Sequence, residues 1–118
     1  MPKIIFNADD FGISPGVNKA IFKAHTEGVL NSTSIMITLK HVPEAIELAK
    51  QMPNLNIGLH GNLTNENSVL PHSKIPLLTT PDGKFKHGFV NLAILSIIHP
   101  KELKLEYKNS KLIKVSKN

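Results

Sequence analysis

Three short runs rich in apolar or β-branched residues alternate with two amphipathic helical patterns in the first half of this 118-residue chain. That order restricts the fold more than any other feature. Ile4-Ile5-Phe6 reads as a buried strand that ends at Asn7-Ala8-Asp9-Asp10-Phe11-Gly12. Ser14 is placed to cap a helix with Pro15 at its first position; Val17, Ala20, Ile21 and Ala24 recur at helical spacing, and Gly28 offers a left-handed stop. Residues 32–38 are rich in β-branched side chains and read as a second strand. Pro43 opens a second helix through Ala45, Ile46, Leu48, Ala49 and Met52, Pro53 closes it, and residues 55–60 read as a third strand. Strands alternating with helices imply an α/β fold with a parallel sheet and right-handed crossovers, so the carboxyl ends of the strands share one rim.

After Thr64 the periodicity fades into a loop punctuated by Pro71, Pro76, Pro81 and Asp82-Gly83, the kind of segment that faces substrate beside an active rim. Phe89, Leu92, Ala93, Leu95, Ser96 and Ile97 predict a helix ended by His99-Pro100. A last helix runs from residue 101 to about 111, and residues 111–118 are expected to fray.

The net charge of +5 is concentrated at one end, since six lysines (Lys101, Lys104, Lys108, Lys111, Lys114, Lys117) stand there against Glu102 and Glu106. With no arginine for bidentate phosphate or guanine contacts, the sequence argues against a nucleic-acid partner. No apolar run reaches the roughly 18 residues of a membrane span, and no signal or transit pattern opens the chain. The absence of cysteine excludes disulfides and thiolate metal sites and fits a reducing, cytoplasmic setting.

Chemistry is expected on the rim. Asp9 and Asp10 are adjacent like charges, which require a cation, a shared proton or hydrogen-bond donors to offset them. Both can face one centre only if the strand is already turning, and Gly12 with Ser14-Pro15-Gly16 supplies a turn. The competing reading is a capped turn at the start of the first helix. His60, flanked by Gly58 and Gly61, ends the third strand, and an imidazole with a carboxylate suits a divalent metal. His25, His41, His72, His87 and His99 read as surface or capping residues. Asn62 and Thr64 read as turn stabilisers that could also contact a substrate oxygen.

Taken together, Asn7-Ala8-Asp9-Asp10-Phe11-Gly12, Ser14-Pro15-Gly16-Val17-Asn18 and Gly58-Leu59-His60-Gly61-Asn62-Leu63-Thr64 resemble the YdjC/ChbG family of carbohydrate deacetylases. Ser32-Thr33-Ser34-Ile35-Met36 and the segment from Leu77-Leu78 to Asp82-Gly83-Lys84-Phe85 are also similar. The resemblance covers roughly residues 3 to 107. It implies a partial (β/α) barrel of the polysaccharide-deacetylase type, over residues 1–107, followed by a lysine-rich divergent tail over 108–118. It also implies hydrolysis of acetamido groups on N-acetylated sugars such as chitooligosaccharides. By position, Asp9 would be the general base, and Asp10 and His60 metal ligands. Mg²⁺ is the cofactor the family implies; on ligand chemistry Zn²⁺ would serve equally.

Family members are longer and draw a further histidine ligand from a serine-histidine-glutamine-histidine-like motif on a later strand, which this sequence lacks. The chain is therefore expected to be an N-terminal, truncated portion with open strand edges and apolar faces that favour a homodimer. A non-catalytic remnant or sugar-binding half-barrel is the alternative. A phosphohydrolase fits less well, since such enzymes usually present Asp-x-Asp.

Overall fold

The computed structural model describes residues 3–112. Three parallel strands and four α-helices are present among them: β1 (Asn7–Phe11), α1 (Pro15–Thr26), β2 (Ser32–Ile35), α2 (Val42–Lys50), β3 (Asn56–Leu59), α3 (Phe89–Ile98) and α4 (Pro100–Leu112), with a 3₁₀ turn at His72–Lys74. The chain divides between His60 and Gly61 into two units.

The first unit holds the sheet, in the order β1-β2-β3, with both pairs parallel. Consecutive order with crossovers of one hand carries both helices to the same face, as in a (β/α) barrel and unlike a doubly wound sheet. On that face Phe11, Ile21, Ile35, Val42, Ala45, Ala49, Met52 and Leu55 form the buried core. The opposite face carries Asn7, Asp9, Ser32, Ser34, Asn56 and Gly58, each at least partly exposed.

β1 starts later than the apolar run suggests. Ile4, Ile5 and Phe6 are exposed, whereas Ala8 packs on the core and Phe11 is fully buried. Ala8 pairs with Thr33 and Phe11 with Ile35, so three steps on β1 oppose two on β2. This is a β-bulge, and it explains how two inward residues come to be an odd number apart. Likewise β2 ends at Ile35, short of the expected residue 38.

Ser14 caps α1 as predicted: its Oγ accepts from the Val17 N–H at 3.2 Å. The inward side of α1 is Val17, Asn18, Ile21 and Phe22, while Ala20 and Ala24 are exposed. Gly28 ends the helix by a different route from the one its residue type suggests. Its φ is not positive; instead a Cβ there would lie 2.7 Å from the Ala24 carbonyl oxygen. The constraint is close approach, not handedness.

The second unit begins at Gly61 and buries Ile75, Leu78, Phe85 and Leu103, with Leu63, Leu70, Leu92 and Leu95 packed around them. Isolated antiparallel bridges, Asn67 with Lys84 and Thr79 with Phe85, order its loop. The Glu106 carboxylate is buried and accepts from the Val69 and Leu70 N–H groups at 2.6 and 3.0 Å. α4 runs through positions 107 and 108 to Leu112. Of the tail expected to fray, residues 113–118 lie outside the described part. No helix among the described residues is long and apolar enough to cross a membrane.

Candidate active site at the carboxyl end of the sheet

The bulge decides the site. Asp10 sits at φ +64°, in the left-handed region, and Gly12 at +101°. A single inserted residue with positive φ breaks the strand's strict alternation, so Asp9 and Asp10 come to the same rim despite being adjacent. Gly12 is required twice over: by its φ, and because a Cβ there would stand 2.7 Å from Val42 Cγ2.

The turn is held from below by Asn18, a fully buried residue of α1. Its Oδ1 accepts from the Gly12 N–H at 2.8 Å, and its Nδ2 donates to the His41 carbonyl and to Glu44 Oε2, each at 3.1 Å. Its side-chain amide thereby ties the β1–α1 connection to the start of α2. Asn18 lies within a motif quoted above, but sequence reasoning gave it no role.

β1 and β3 are not neighbours; β2 lies between them. The predicted residues nevertheless meet: Asp10 stands in the bulge just before Phe11, and His60 directly follows Leu59, with Phe11 and Leu59 both paired to Ile35 at the end of β2. His60 is anchored by its N–H donating to the Ile35 carbonyl at 2.9 Å, and its Nδ1 lies 3.1 Å from Asp10 Oδ1.

A polar ladder crosses the open face toward this pair. Ser32 Oγ donates to Asn7 Oδ1 at 2.8 Å, and Asn7 Nδ2 donates to Asp9 Oδ1 at 2.9 Å. Ser34 Oγ donates to the same Asp9 oxygen at 2.7 Å. Ser34 Oγ also lies 3.3 Å from His60 Nδ1. The Ser34 hydroxyl is the main reason the Asp9 carboxyl is held below the usual carboxylate range; partial desolvation opposes it, and Asn7 and the His60 charge assist. The capped-turn reading of the aspartates fails, since Ser14 occupies the N-cap.

Ser34, like Asn18, is a residue that sequence reasoning missed. Its signal was the period-two alternation of β2, in which Thr33 and Ile35 are buried while Ser32 and Ser34 face the other way.

A separation of 3.1 Å between Asp10 Oδ1 and His60 Nδ1 suits a hydrogen-bonded pair. It also suits two adjacent ligands of one cation, which at Mg²⁺–ligand bonds near 2.1 Å in octahedral geometry stand about 3 Å apart. The two donors therefore fit a divalent ion as part of its ligand set. Among the described residues no group of three His, Asp or Glu side chains could hold one.

Three of the other histidines are engaged elsewhere. His25 Nδ1 donates to the Leu30 carbonyl at 2.7 Å and His87 Nε2 to that of Leu77 at 2.7 Å, while His72 Nδ1 lies 3.2 Å from Thr79 Oγ1. Asn62 stabilises its own turn, accepting from the Thr64 and Asn65 N–H groups at 3.2 and 3.1 Å.

The sequence model of the YdjC-like protein family matches residues 3–109. The chain belongs to the YdjC-like family. A carbohydrate deacetylase of Vibrio cholerae serotype O1 (strain M66-2) is 53% identical over 62 residues, which make up 52% of this chain and 25% of that protein. A carbohydrate deacetylase of Brevibacillus brevis is 43% identical over 86 residues, 73% of this chain and 34% of its own length. A crystal structure from Enterococcus faecalis V583, described as a "putative cellobiose-phosphate cleavage protein", superposes with a TM-score of 0.75 at 34% identity, covering 90% of this chain and 41% of that one. This YdjC-like chain thus spans 25–34% of the length of these two curated relatives. The α/β architecture with its parallel sheet agrees with the partial barrel expected from the motifs.

Proposed function

We propose that this chain carries part of the catalytic site of a metal-dependent carbohydrate deacetylase that removes acetyl groups from N-acetylated sugars of the chitooligosaccharide type. The observation that supports this best is the convergence of Asp9, Asp10, Ser34 and His60 on one rim. The deacetylase relatives supply the reaction class. Asp10 and His60 would hold the divalent ion, Mg²⁺ or Zn²⁺. When bound, that ion would supply polarisation of the amide carbonyl and a more acidic water.

Asp9 does the rest. Kept ionised by the hydroxyl of Ser34 and the amide of Asn7, it takes a proton from the water that adds to the acetyl carbon. The carbon–nitrogen bond then breaks, the proton passes to the departing nitrogen, and acetate and a free sugar amine result. The cysteine-free composition supports a cytoplasmic setting for this chemistry.

A second reading, a sugar-binding half-barrel without catalysis, is favoured by the two-residue ligand set among the described residues. Two measurements separate the readings. Divalent ion is expected to raise the melting temperature through binding linkage, and Asp10→Ala and His60→Ala should each abolish the rise. Acetate release from N-acetylated chitooligosaccharides should fall in Asp9→Asn. Equal release by both chains would favour the binding module, and no thermal response to millimolar ion would count against the metal site.

A further inference from the structure

Left-handed backbone at a residue that carries a β-carbon persists only where the surroundings over-determine it, and Asp10 is such a residue at φ +64°. Two hydrogen bonds close its turn. The Ile13 N–H donates to the Asp10 carbonyl at 3.1 Å, and the Gly12 N–H donates to Asn18 Oδ1 at 2.8 Å. The fully buried Asn18 amide meets one donor on its oxygen side and two acceptors, the His41 carbonyl and Glu44 Oε2, on its nitrogen side. These neighbours fix which way the amide points, since a flipped group would set nitrogen against an N–H and oxygen against two oxygens. A carboxamide matches this environment. An aspartate of the same size does not, because its second oxygen would face both acceptors.

We propose that Asn18, oriented by Glu44, is a positioning residue for Asp10: by holding the Gly12 N–H it keeps Asp10 in the left-handed conformation from which its Oδ1 lies 3.1 Å from His60 Nδ1. Release of Gly12 returns Asp10 to the ordinary alternation of a strand, in which adjacent side chains point to opposite faces. Glu44 stands in the first turn of α2, so a carboxylate there governs the rim through Asn18. The consequence for a bound ion rests on the metal site proposed above. Two donors already held at ligand spacing bind an ion more tightly than a pair that must be ordered as the ion arrives.

NMR of the full chain without metal reads the backbone directly. Couplings and carbon shifts should give a positive φ at Asp10, and the Gly12 N–H should exchange slowly. Asn18→Ala should lose the positive φ. Asn18→Asp should do the same despite its matching size, and adding Glu44→Gln, whose amide can donate to the new carboxylate, should recover it. Should the Asn18 variants fail to fold, Glu44→Ala leaves the Asn18 bond to His41 in place and should speed Gly12 exchange severalfold. Mn²⁺ titration followed by electron paramagnetic resonance should show binding weakened about tenfold in Asn18→Ala. Ile21→Val, a change in the buried core on the same helix, should leave the affinity unaltered. A positive φ kept at Asp10 in Asn18→Ala, or unchanged Gly12 exchange in Glu44→Ala, would overturn the proposal. Equal weakening of Mn²⁺ binding by Asn18→Ala and Ile21→Val would do so too, by marking a general loss of stability. If the unaltered chain binds no Mn²⁺ while Asn18→Ala still loses the positive φ, the positioning role stands and the metal site falls.

Discussion

The residues up to His60 and those from Gly61 onward solve the same problem by different means. In the first unit the sheet satisfies the backbone, helices cover one face, and the polar side chains of the other face are free to form a ladder that ends at Asp9, Asp10 and His60. In the second unit much of the backbone runs as loop, and acidic side chains are spent on it. Glu106 accepts from Val69 and Leu70, and Glu102 accepts from the Leu77 N–H at 3.0 Å. A carboxylate in a sheet-built unit can specialise in chemistry, whereas in a loop-built unit it replaces a missing strand.

The contrast predicts different failure modes. Phe11 is fully buried at the centre of the first core, so Phe11→Ala should cost about 3–4 kcal/mol through the cavity it leaves. Urea denaturation followed by circular dichroism measures this, and a loss below ~1 kcal/mol would mean that the sheet core is not what holds the first unit. In the second unit the comparable lesion is polar. Glu106→Ala should cost about 2 kcal/mol by leaving two N–H groups without their acceptor, and Glu106→Gln, which keeps one carbonyl oxygen, should cost less. If the two substitutions proved equal, the carboxylate would be packing the loop and not bonding it.

Much of the first unit was legible because its signals are local. Ser14 followed by Pro15 fixes the start of α1, and Pro43 and Pro53 bracket α2. Asp9, Asp10 and His60 stand on the rim that alternation of strands and helices implies. The bulge was not legible: nothing in Asn7-Ala8-Asp9-Asp10-Phe11 announces that Asp10 takes a positive φ, because the register against β2 decides it. Ile4 and Ile5 misled for a related reason, since apolar composition reports what a residue tolerates and not whether a helix covers it. Asn18 and Ser34 depend on partners across the fold: alternation in β2 puts Ser34 on the open face, but nothing in the sequence says that it reaches Asp9 and His60. α3 and α4 were read correctly as helices.

A smaller effect tests the entry to α1. Ser14→Ala removes the acceptor for the Val17 N–H and should cost about 1 kcal/mol. Its consequence should extend to the rim, because the helix start adjoins the Gly12 turn that positions Asp10. If chemical shifts of Asp9, Asp10 and His60 stay fixed in this variant, the Asn18 clamp alone sets the turn.

The finest test concerns the ladder itself. Because the folded state holds the Asp9 carboxyl below its ordinary value, chiefly through Ser34, the interaction is present above the unfolded-chain value near 3.9 and is lost as pH falls through the lower, folded one. Ser34→Ala should therefore move Asp9 protonation to higher pH, back toward the usual carboxylate range, as followed by carboxyl-carbon NMR. Asp82 supplies an internal control: it is also held low, but first by the Thr80 hydroxyl, in the unit that Ser34 does not belong to. A substitution that moves Asp9 and leaves Asp82 in place would locate the effect in the ladder. If both moved together, the change would be a general one in charge or solvent exposure, and Ser34 would lose its claim to be what keeps Asp9 ionised.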